Sequence, residues 1–417
     1  MMAALSAMSF FLIMRVLALT SAYYSTTFFR RHVGVSTFLR SSVQENSSIE
    51  KKCLTEARVF EQLCHEVGVQ PAGLLRLGES ADGIRGLYLN RAVKTGDLVL
   101  SIPLNKCLRD DQQLPDWMPR TEDESVEECG AWALRLAACL MEAQKSPYQS
   151  HHSLWFSLLP NPSDLRSSLP IHWDDEIVQS TSHTAFTMAV DSAYFARAGA
   201  IQSIDVDVDF SGALDVIQTR TCRVQTSKGY PLRLLAPVFD LFNHASPATA
   251  EFSLENDNML VVRAMADLEE DQHVCIDYGP STKPAWNSLV SYGFITAEDE
   301  ELAEVYLDGV RYEVGPDFIP EDMVVAASSV YLAQTHALDE NVVLTPEIAM
   351  LLARRISDVA HSYSLPPGTN EGTAIESTPV STISMRWASA LRWNQHRILL
   401  KCSSNLQDWA EQQSSID

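Results

Sequence analysis

Five short segments concentrate residues able to bind and align reactants. They are Asp82-Gly83-Ile84-Arg85-Gly86-Leu87, Gln218-Thr219-Arg220, Pro237-Val238-Phe239-Asp240-Leu241-Phe242-Asn243-His244, Asp277-Tyr278-Gly279 and Ser291-Tyr292-Gly293-Phe294. A glycine lets backbone approach a ligand closely. An arginine offers paired donors to a carboxylate. An aromatic face stabilises a cation. By residue type alone the plain alternatives stay open: a turn at 82–84, a salt-bridged Arg220, a capping Asp240, a satisfied core His244 and a packed Tyr292. Hydrolytic and phosphate-binding signatures are missing: there is no GxSxG, HExxH, Walker loop or strand-bound GxGxxG. No metal site is expected. The eight cysteines form no CxxC pair and read as reduced, mostly buried thiols. The strip 205–209 alternates Asp and Val like a calcium loop, but Phe210 stands where that loop needs Gly, and its closing Glu is missing.

A chain of 417 residues carrying these segments has length for two or three domains. With 46% apolar and 20% charged residues it is globular in composition. Its net charge of −23 argues against nucleic acid as a partner and favours a protein with a basic segment. Residues 1–44 stand apart: they hold no Asp or Glu, four arginines and many Ser and Thr, the composition of a removable targeting presequence. Ala3–Ala22 is apolar, so a signal segment or membrane anchor is the alternative, although Arg15 near its middle costs about 2.5–3.5 kcal/mol on insertion scales. No stable membrane association is expected after processing.

The elements that must position the segments follow from pattern. Glu50–Val67 reads as a helix. Gly86–Val93 and Leu98–Ile102 read as strands around a Lys94-Thr95-Gly96-Asp97 turn. An acidic cluster, Glu122, Asp123, Glu124, Glu127 and Glu128, precedes a helix with Trp132, Leu136 and Leu140 on one face. Strand signals return in Leu214–Val224, Met259–Ala264 and His273–Tyr278. Beyond Glu300 the chain reads as helical, with Thr345 as N-cap and Pro346 at the first helical position. Ile348, Leu352 and Ile356 then Leu391, Ile398, Cys402 and Leu406 mark two apolar helix faces, joined by a loose connector over 366–379.

Taken together, these segments resemble a known family. The order NH then YG, with RGLYLNRAVKTGDLVLSIPL at 85–104, SLWFSLLP at 153–160, LPIHWDDEI at 169–177, DLFNHAS at 240–246 and LRWNQHRILLKCSSNL at 391–406, is similar to SET-domain protein methyltransferases. The subgroup is the one that includes Rubisco large-subunit lysine methyltransferase and actin-histidine methyltransferase. The resemblance runs from about Cys53 to the C-terminus. It implies an α+β fold: a SET-type β domain over 45–299 with a helical insert at about 108–215, then an all-helical substrate-binding domain over 300–417.

The resemblance implies a protein-lysine N-methyltransferase that uses S-adenosylmethionine (SAM) and acts on a non-histone protein. A histidine-directed enzyme and a non-catalytic SET-type binding module are the alternatives. It places Asp82, Gly83 and Ile84 on SAM through backbone groups. Arg220 would hold the cofactor's methionine end, Asn243 would meet it through its amide, His244 largely through backbone, and Asp240 would face the same pocket. Tyr278 would be catalytic, because methyl transfer needs alignment of amine and methyl more than acid–base work. Tyr292 would wall the substrate tunnel. Three departures from the family pattern stand out: Asp82 where Glu is common, Ala285 where Asn is common, and Thr221 and Cys222 after Arg220. The presequence and the resemblance together favour a plastid, with mitochondrion, secretory route and membrane anchoring as alternatives.

Overall fold

A computed structural model describes residues 43–80, 85–118, 131–145, 150–202, 209–279, 285–295, 302–335, 344–363 and 383–415. Residues 1–42 of the presequence, the 82–84 loop, the acidic cluster, residues 205–208 and the 366–379 connector therefore lie outside the described residues. The chain divides into two compact units. One comprises Met1–Ile171, Val190–Pro280 and Ser291–Phe294; the other comprises His172–Ala189, Ser281–Val290 and Ile295–Asp417.

The first unit opens with helix α1 (Val43–Val67), which extends past the expected start at Glu50. Strands β1 (Leu75–Glu79) and β2 (Arg85–Leu89) pair antiparallel, with Leu75 opposite Leu89 and Gly78 opposite Gly86. Strand β3 (Leu98–Pro103) follows the expected turn, where the Asp97 amide donates to Lys94 O and the Lys94 amide to Asp97 Oδ2. Its Val99, Leu100 and Ile102 are fully buried, as a run apolar on both faces requires. After β4 (Leu108–Arg109) comes α2 (Ala131–Lys145). Leu136 and Leu140 are fully buried there, while Trp132 is half-buried beneath the Arg233 guanidinium, 4.6 Å from the ring centroid.

Short helices α3 (Ser150–Leu158), α4 (Pro162–Ser168) and α5 (Asp175–Ser180) lead to the longer α6 (Thr184–Gln202) and then α7 (Ser211–Arg220). Helix α7 overturns part of the strand expected over Leu214–Val224. Its β-branched Val216, Ile217 and Thr219 favour a strand, but tertiary partners prevail. Asp215 is fully buried and takes the Arg197 guanidinium at 2.7 Å, and Thr219 Oγ1 bonds back to Asp215 O. Only β5 (Cys222–Gln225) remains extended, so Arg220 closes a helix.

Strands β6 (Pro231–Leu235), β7 (Asn243–His244), β8 (Ala250–Glu255), β9 (Met259–Ala264) and β10 (Cys275–Ile276) complete the unit. They make a five-stranded sheet in the order β3-β9-β8-β10-β7 and a three-stranded sheet in the order β4-β6-β5. Strand β10 is parallel to both β7 and β8, which sets Cys275 opposite Asn243. Helix α8 (Ala285–Tyr292) ends on the second aromatic segment.

The second unit holds a hairpin the helical reading did not include. Strands β11 (Ala303–Leu307) and β12 (Val310–Val314) pair around Asp308-Gly309. Both turn residues have positive φ, 51° and 83°, the conformation that Asp-Gly supplies in tight hairpins. Helices α9 (Glu321–Thr335), α10 (Pro346–Ser362) and α11 (Ile383–Ser414) pack on it. Thr345 caps α10 by accepting from the Ile348 amide. Ile348, Leu352 and Ile356 meet Ile398, Cys402 and Leu406 in one buried cluster with hairpin residues Val305 and Val314. Inside it, Glu304 is 4% exposed and accepts from the Thr184 and Ala185 amides, His183 and Arg311. No helix among the described residues is long and apolar enough to cross a membrane.

Candidate functional site

The segment 237–244 gathers the expected site. It starts with strained backbone. Val238 is fully buried with φ 68° and ψ −48°, and the Phe239 amide donates to Pro237 O across it at 2.8 Å. This is a γ-turn of the strained hand, at a β-branched residue that rarely adopts it. A short 3-10 turn, Phe239–Leu241, follows, and then β7.

Arg220 arrives from the end of α7. It is 5% exposed, and its Nη1 donates to the backbone carbonyl of Asp240 at 2.6 Å. Burial lowers its pKa to about 10, opposed by the nearby Asp240 charge, so it stays cationic at neutral pH. The Asp240 carboxyl is itself buried. Oδ2 accepts from Trp155 Nε1 at 3.1 Å, and Oδ1 has no hydrogen-bond partner among the described residues. Burial pushes its pKa up, against the pull of Arg220.

Tyr278 is 2% exposed. Its phenol donates to Phe242 O at 2.7 Å, and its backbone amide donates to His244 Nδ1 at 3.2 Å. The same His244 Nδ1 also lies 3.3 Å from the Ile276 carbonyl oxygen. The His244 ring stacks on Tyr278 with centroids 4.7 Å apart. Burial holds the Tyr278 hydroxyl protonated well above the ordinary tyrosine range. Its single proton is committed to Phe242, so toward any further group this oxygen can act only as an acceptor. Tyr292 donates its hydroxyl to Tyr278 O at 3.1 Å, and the two rings meet edge to face at 5.8 Å. Gly293, with φ 76°, follows at once. A Cβ there would lie 2.9 Å from backbone and side-chain atoms of Ser168, so only glycine fits behind Tyr292.

Asn243 completes the cluster. Its Nδ2 donates to Arg85 O at 2.9 Å and to His273 Nε2 at 3.1 Å. The Arg85 carbonyl only accepts, which fixes the amide orientation and leaves Oδ1 without a donor among the described residues. Of the expected site residues, Arg220, Asp240, Asn243, His244, Tyr278 and Tyr292 thus form one buried group, while Asp82, Gly83 and Ile84 lie outside the described residues.

Three contributors were given no site role from the sequence, although Gly86 and Trp155 lie in segments it marked out. Trp155 anchors Asp240. Gly86 leaves room that a Cβ would fill, at 2.3 Å from His273 Nε2 and 2.5 Å from Asn243 Nδ2. His273 touches the Asn243 amide and stacks on Tyr88 at 4.7 Å. No signal short of the fold brings positions 86, 243 and 273 together. Cys107, Cys139, Cys222, Cys275 and Cys402 are buried free thiols, and Cys64 is half-buried. Among the described residues, no group of three His, Cys, Asp or Glu could hold a metal ion.

No family model matches the chain, and no curated protein matches it by sequence. Solved structures do match. The SET domain of LSMT bound to lysine and AdoHcy has a TM-score of 0.57 at 13% identity, covering 86% of this chain and 92% of that one. Rubisco LSMT bound to sinefungin and monomethyllysine has a TM-score of 0.55 at 14% identity, with coverage of 86% and 92%. Rubisco LSMT bound to AdoMet has a TM-score of 0.53 at 15% identity, again covering 86% and 92%. The chain therefore has the mixed α+β fold of these SET-domain structures, with a helical C-terminal region.

Proposed function

We propose that this chain is a SAM-dependent protein-lysine N-methyltransferase acting on a non-histone protein. One observation carries the reading. Backbone 240–244 receives Arg220 at Asp240 O and Tyr278 at Phe242 O, and it presents Asn243 and His244 between them. This arrangement sits in a fold shared with SET domains solved with AdoMet, AdoHcy or lysine.

The residues fit such a cofactor. Arg220 is a buried cation suited to its carboxylate. Asn243 Oδ1 can accept from one of its N–H groups. SAM, when bound, supplies the electrophilic methyl. The chain's own task is to align and to exclude water. Tyr278 is fixed by its bond to Phe242, and its oxygen would serve as an acceptor for weak C–H···O contacts with a polarised methyl or for an amine N–H. Tyr292, itself anchored on Tyr278 O, provides an aromatic wall.

No member of the cluster is poised as a base. Tyr278 keeps its proton, and His244 Nδ1 is held between the Tyr278 amide and the Ile276 carbonyl. The lysine must therefore enter neutral, and a poorly solvated site lowers its pKa from about 10.4.

The net charge of −23 supports a basic target segment. The composition of residues 1–44 supports a removable targeting segment and, taken with the Rubisco-type resemblance, delivery to a plastid.

Calorimetry with SAM on the full chain tests the reading, together with Arg220→Ala and Tyr278→Phe. Binding by wild type, lost in Arg220→Ala and kept in Tyr278→Phe, is expected. Labelled methyl should then appear on lysine of plastid proteins. Methylhistidine in the product would replace lysine by histidine as target. A folded wild type that fails to bind SAM would overturn the enzyme reading and leave a binding module.

A further inference from the structure

We infer that His273 is a positioning residue: a proton-sensitive latch that aims the Asn243 carboxamide at the cofactor. The inference rests on the proposed SAM site and adds a residue to it.

The geometry leaves little freedom. Both hydrogens of Asn243 Nδ2 are used, one on Arg85 O at 2.9 Å and one on His273 Nε2 at 3.1 Å. An amide nitrogen can only donate, so His273 Nε2 must be unprotonated. The neutral ring then carries its hydrogen on Nδ1, which faces Cys275 Sγ at 3.6 Å. The ring is held in plane by Tyr88, stacked at 4.7 Å and 15°. Backbone pairing places it there: Val274 N donates to Leu87 O and Leu89 N to Gln272 O, so residues 272–274 run along β2. On the far side, Gly86 presses no Cβ against either nitrogen.

With the latch set, Asn243 Oδ1 has no protein donor among the described residues and is left as an acceptor. A second proton on His273 puts an N–H against the Asn243 NH₂, two donors facing each other. The amide then loses that bond or flips, and a flip turns its NH₂ toward the cofactor's own donors. Either outcome weakens recognition of an N–H group on SAM. Among the described residues, titratable and charged groups around the ring include Tyr88 on β2, Cys275 on β10 and, across Tyr88, Arg76 with its partner Asp271, and Glu79 on β1. At Nε2 the Asn243 amide sits at 3.1 Å, beside the space that Gly86 leaves.

The test is SAM binding by calorimetry on the full chain between about pH 8 and pH 5.5, the interval that brackets ordinary histidine titration. Three proteins are compared: wild type, His273→Gln and His273→Leu. Glutamine offers a carbonyl acceptor at every pH, and leucine offers none. Wild type should lose about tenfold in affinity on acidification, the worth of one hydrogen bond to a ligand cation. His273→Gln should bind within about threefold of wild type at pH 8, with the acid loss gone. His273→Leu should be about tenfold weaker at pH 8. A purely packing role for the ring predicts no such rescue and no change in the pH profile.

Wild-type affinity in His273→Leu, or an undiminished acid loss in His273→Gln, overturns the latch while leaving the SAM site standing. Absence of SAM binding by wild type overturns the site and the latch with it. If His273→Leu fails to fold, the pH profiles of wild type and His273→Gln decide alone.

Discussion

Gly86→Ala is the sharpest probe of the cluster, because one methyl reaches two of its members. Gly86 has ordinary φ, so alanine meets no backbone strain there. Its Cβ would lie 2.3 Å from His273 Nε2 and 2.5 Å from Asn243 Nδ2, against ordinary contact beginning at 3.4 Å. Both nitrogens must retreat by about 1 Å, and neither is the free end of a flexible chain. The His273 ring is backed by Tyr88 and the Asn243 amide is tied to Arg85 O.

A retreat of that size stretches bonds of 2.9 and 3.1 Å beyond hydrogen-bond range. Losing both costs about 1–3 kcal/mol. Overpacking adds about 1–3 kcal/mol. The stiffer unfolded chain returns about 0.4–1 kcal/mol. The net expectation is destabilisation of about 1–5 kcal/mol and a Tm lower by several degrees. Mis-aiming Asn243 should also weaken SAM about tenfold or more.

Thermal unfolding and calorimetry read both effects. Gly199→Ala is the control: nothing lies within 4 Å of its Cβ, and it sits inside α6, so it should be neutral or stabilising by up to about 1 kcal/mol. If Gly86→Ala keeps wild-type Tm and binds SAM within twofold, the packing argument for the Asn243–His273 pair is wrong.

Three further outcomes are expected. Trp155→Phe removes the donor to Asp240 Oδ2 and leaves a buried carboxyl with neither oxygen paired, costing about 1–3 kcal/mol; in denaturant unfolding, Asp240→Asn in the same background should recover part of this, and strict additivity would contradict the pairing. Glu304 is a pH-dependent tie. Burial alone would raise its pKa, but donors from His183 and Arg311 outweigh it and hold the value at about 2. Its contribution, on the order of 2–3 kcal/mol, is therefore complete above the ordinary value near 4.5 and fades as pH falls toward 2. The stability gap between wild type and Glu304→Gln should narrow as pH falls from about 4.5 toward 2, and a constant gap would show that charge is not its source. Methyl-transfer rate at saturating SAM should rise with pH from 7 to 9, because the cluster contains no base for an amine of pKa about 10.4; a flat profile would point to a base outside the cluster.

Much of this was readable where the signal is local. Val99, Leu100 and Ile102 form an apolar run after a turn with Gly and Asp, and they became β3. Thr345-Pro346 announced the start of α10. The order of arginine, NH, YG and YGF motifs brought six of the expected site residues into one buried group. Other features depend on partners far along the chain. Residues 214–220 have strand propensity, but the Arg197–Asp215 pair makes them a helix, which no local pattern announces. The Asp308-Gly309 hairpin did carry its signal. Its flanking strands are short and stand among helical stretches, so the helical pattern prevailed over a two-residue turn. His273 was illegible because its role exists only where β2, β7 and β10 converge.

The γ-turn at Val238 bears on how this sequence can drift. At most buried valines, alanine is a milder replacement than glycine, since both lose the side chain and glycine adds unfolded-state freedom. Here the order should invert. The turn's φ of 68° costs a β-branched or alanine residue on the order of 1–3 kcal/mol, and glycine nothing. Alanine keeps the strain and loses the packing, whereas glycine trades the packing for a relaxed backbone. In a saturation library scored for folded protein, position 238 should enrich glycine above alanine, the mark of a site where backbone shape outranks side-chain volume.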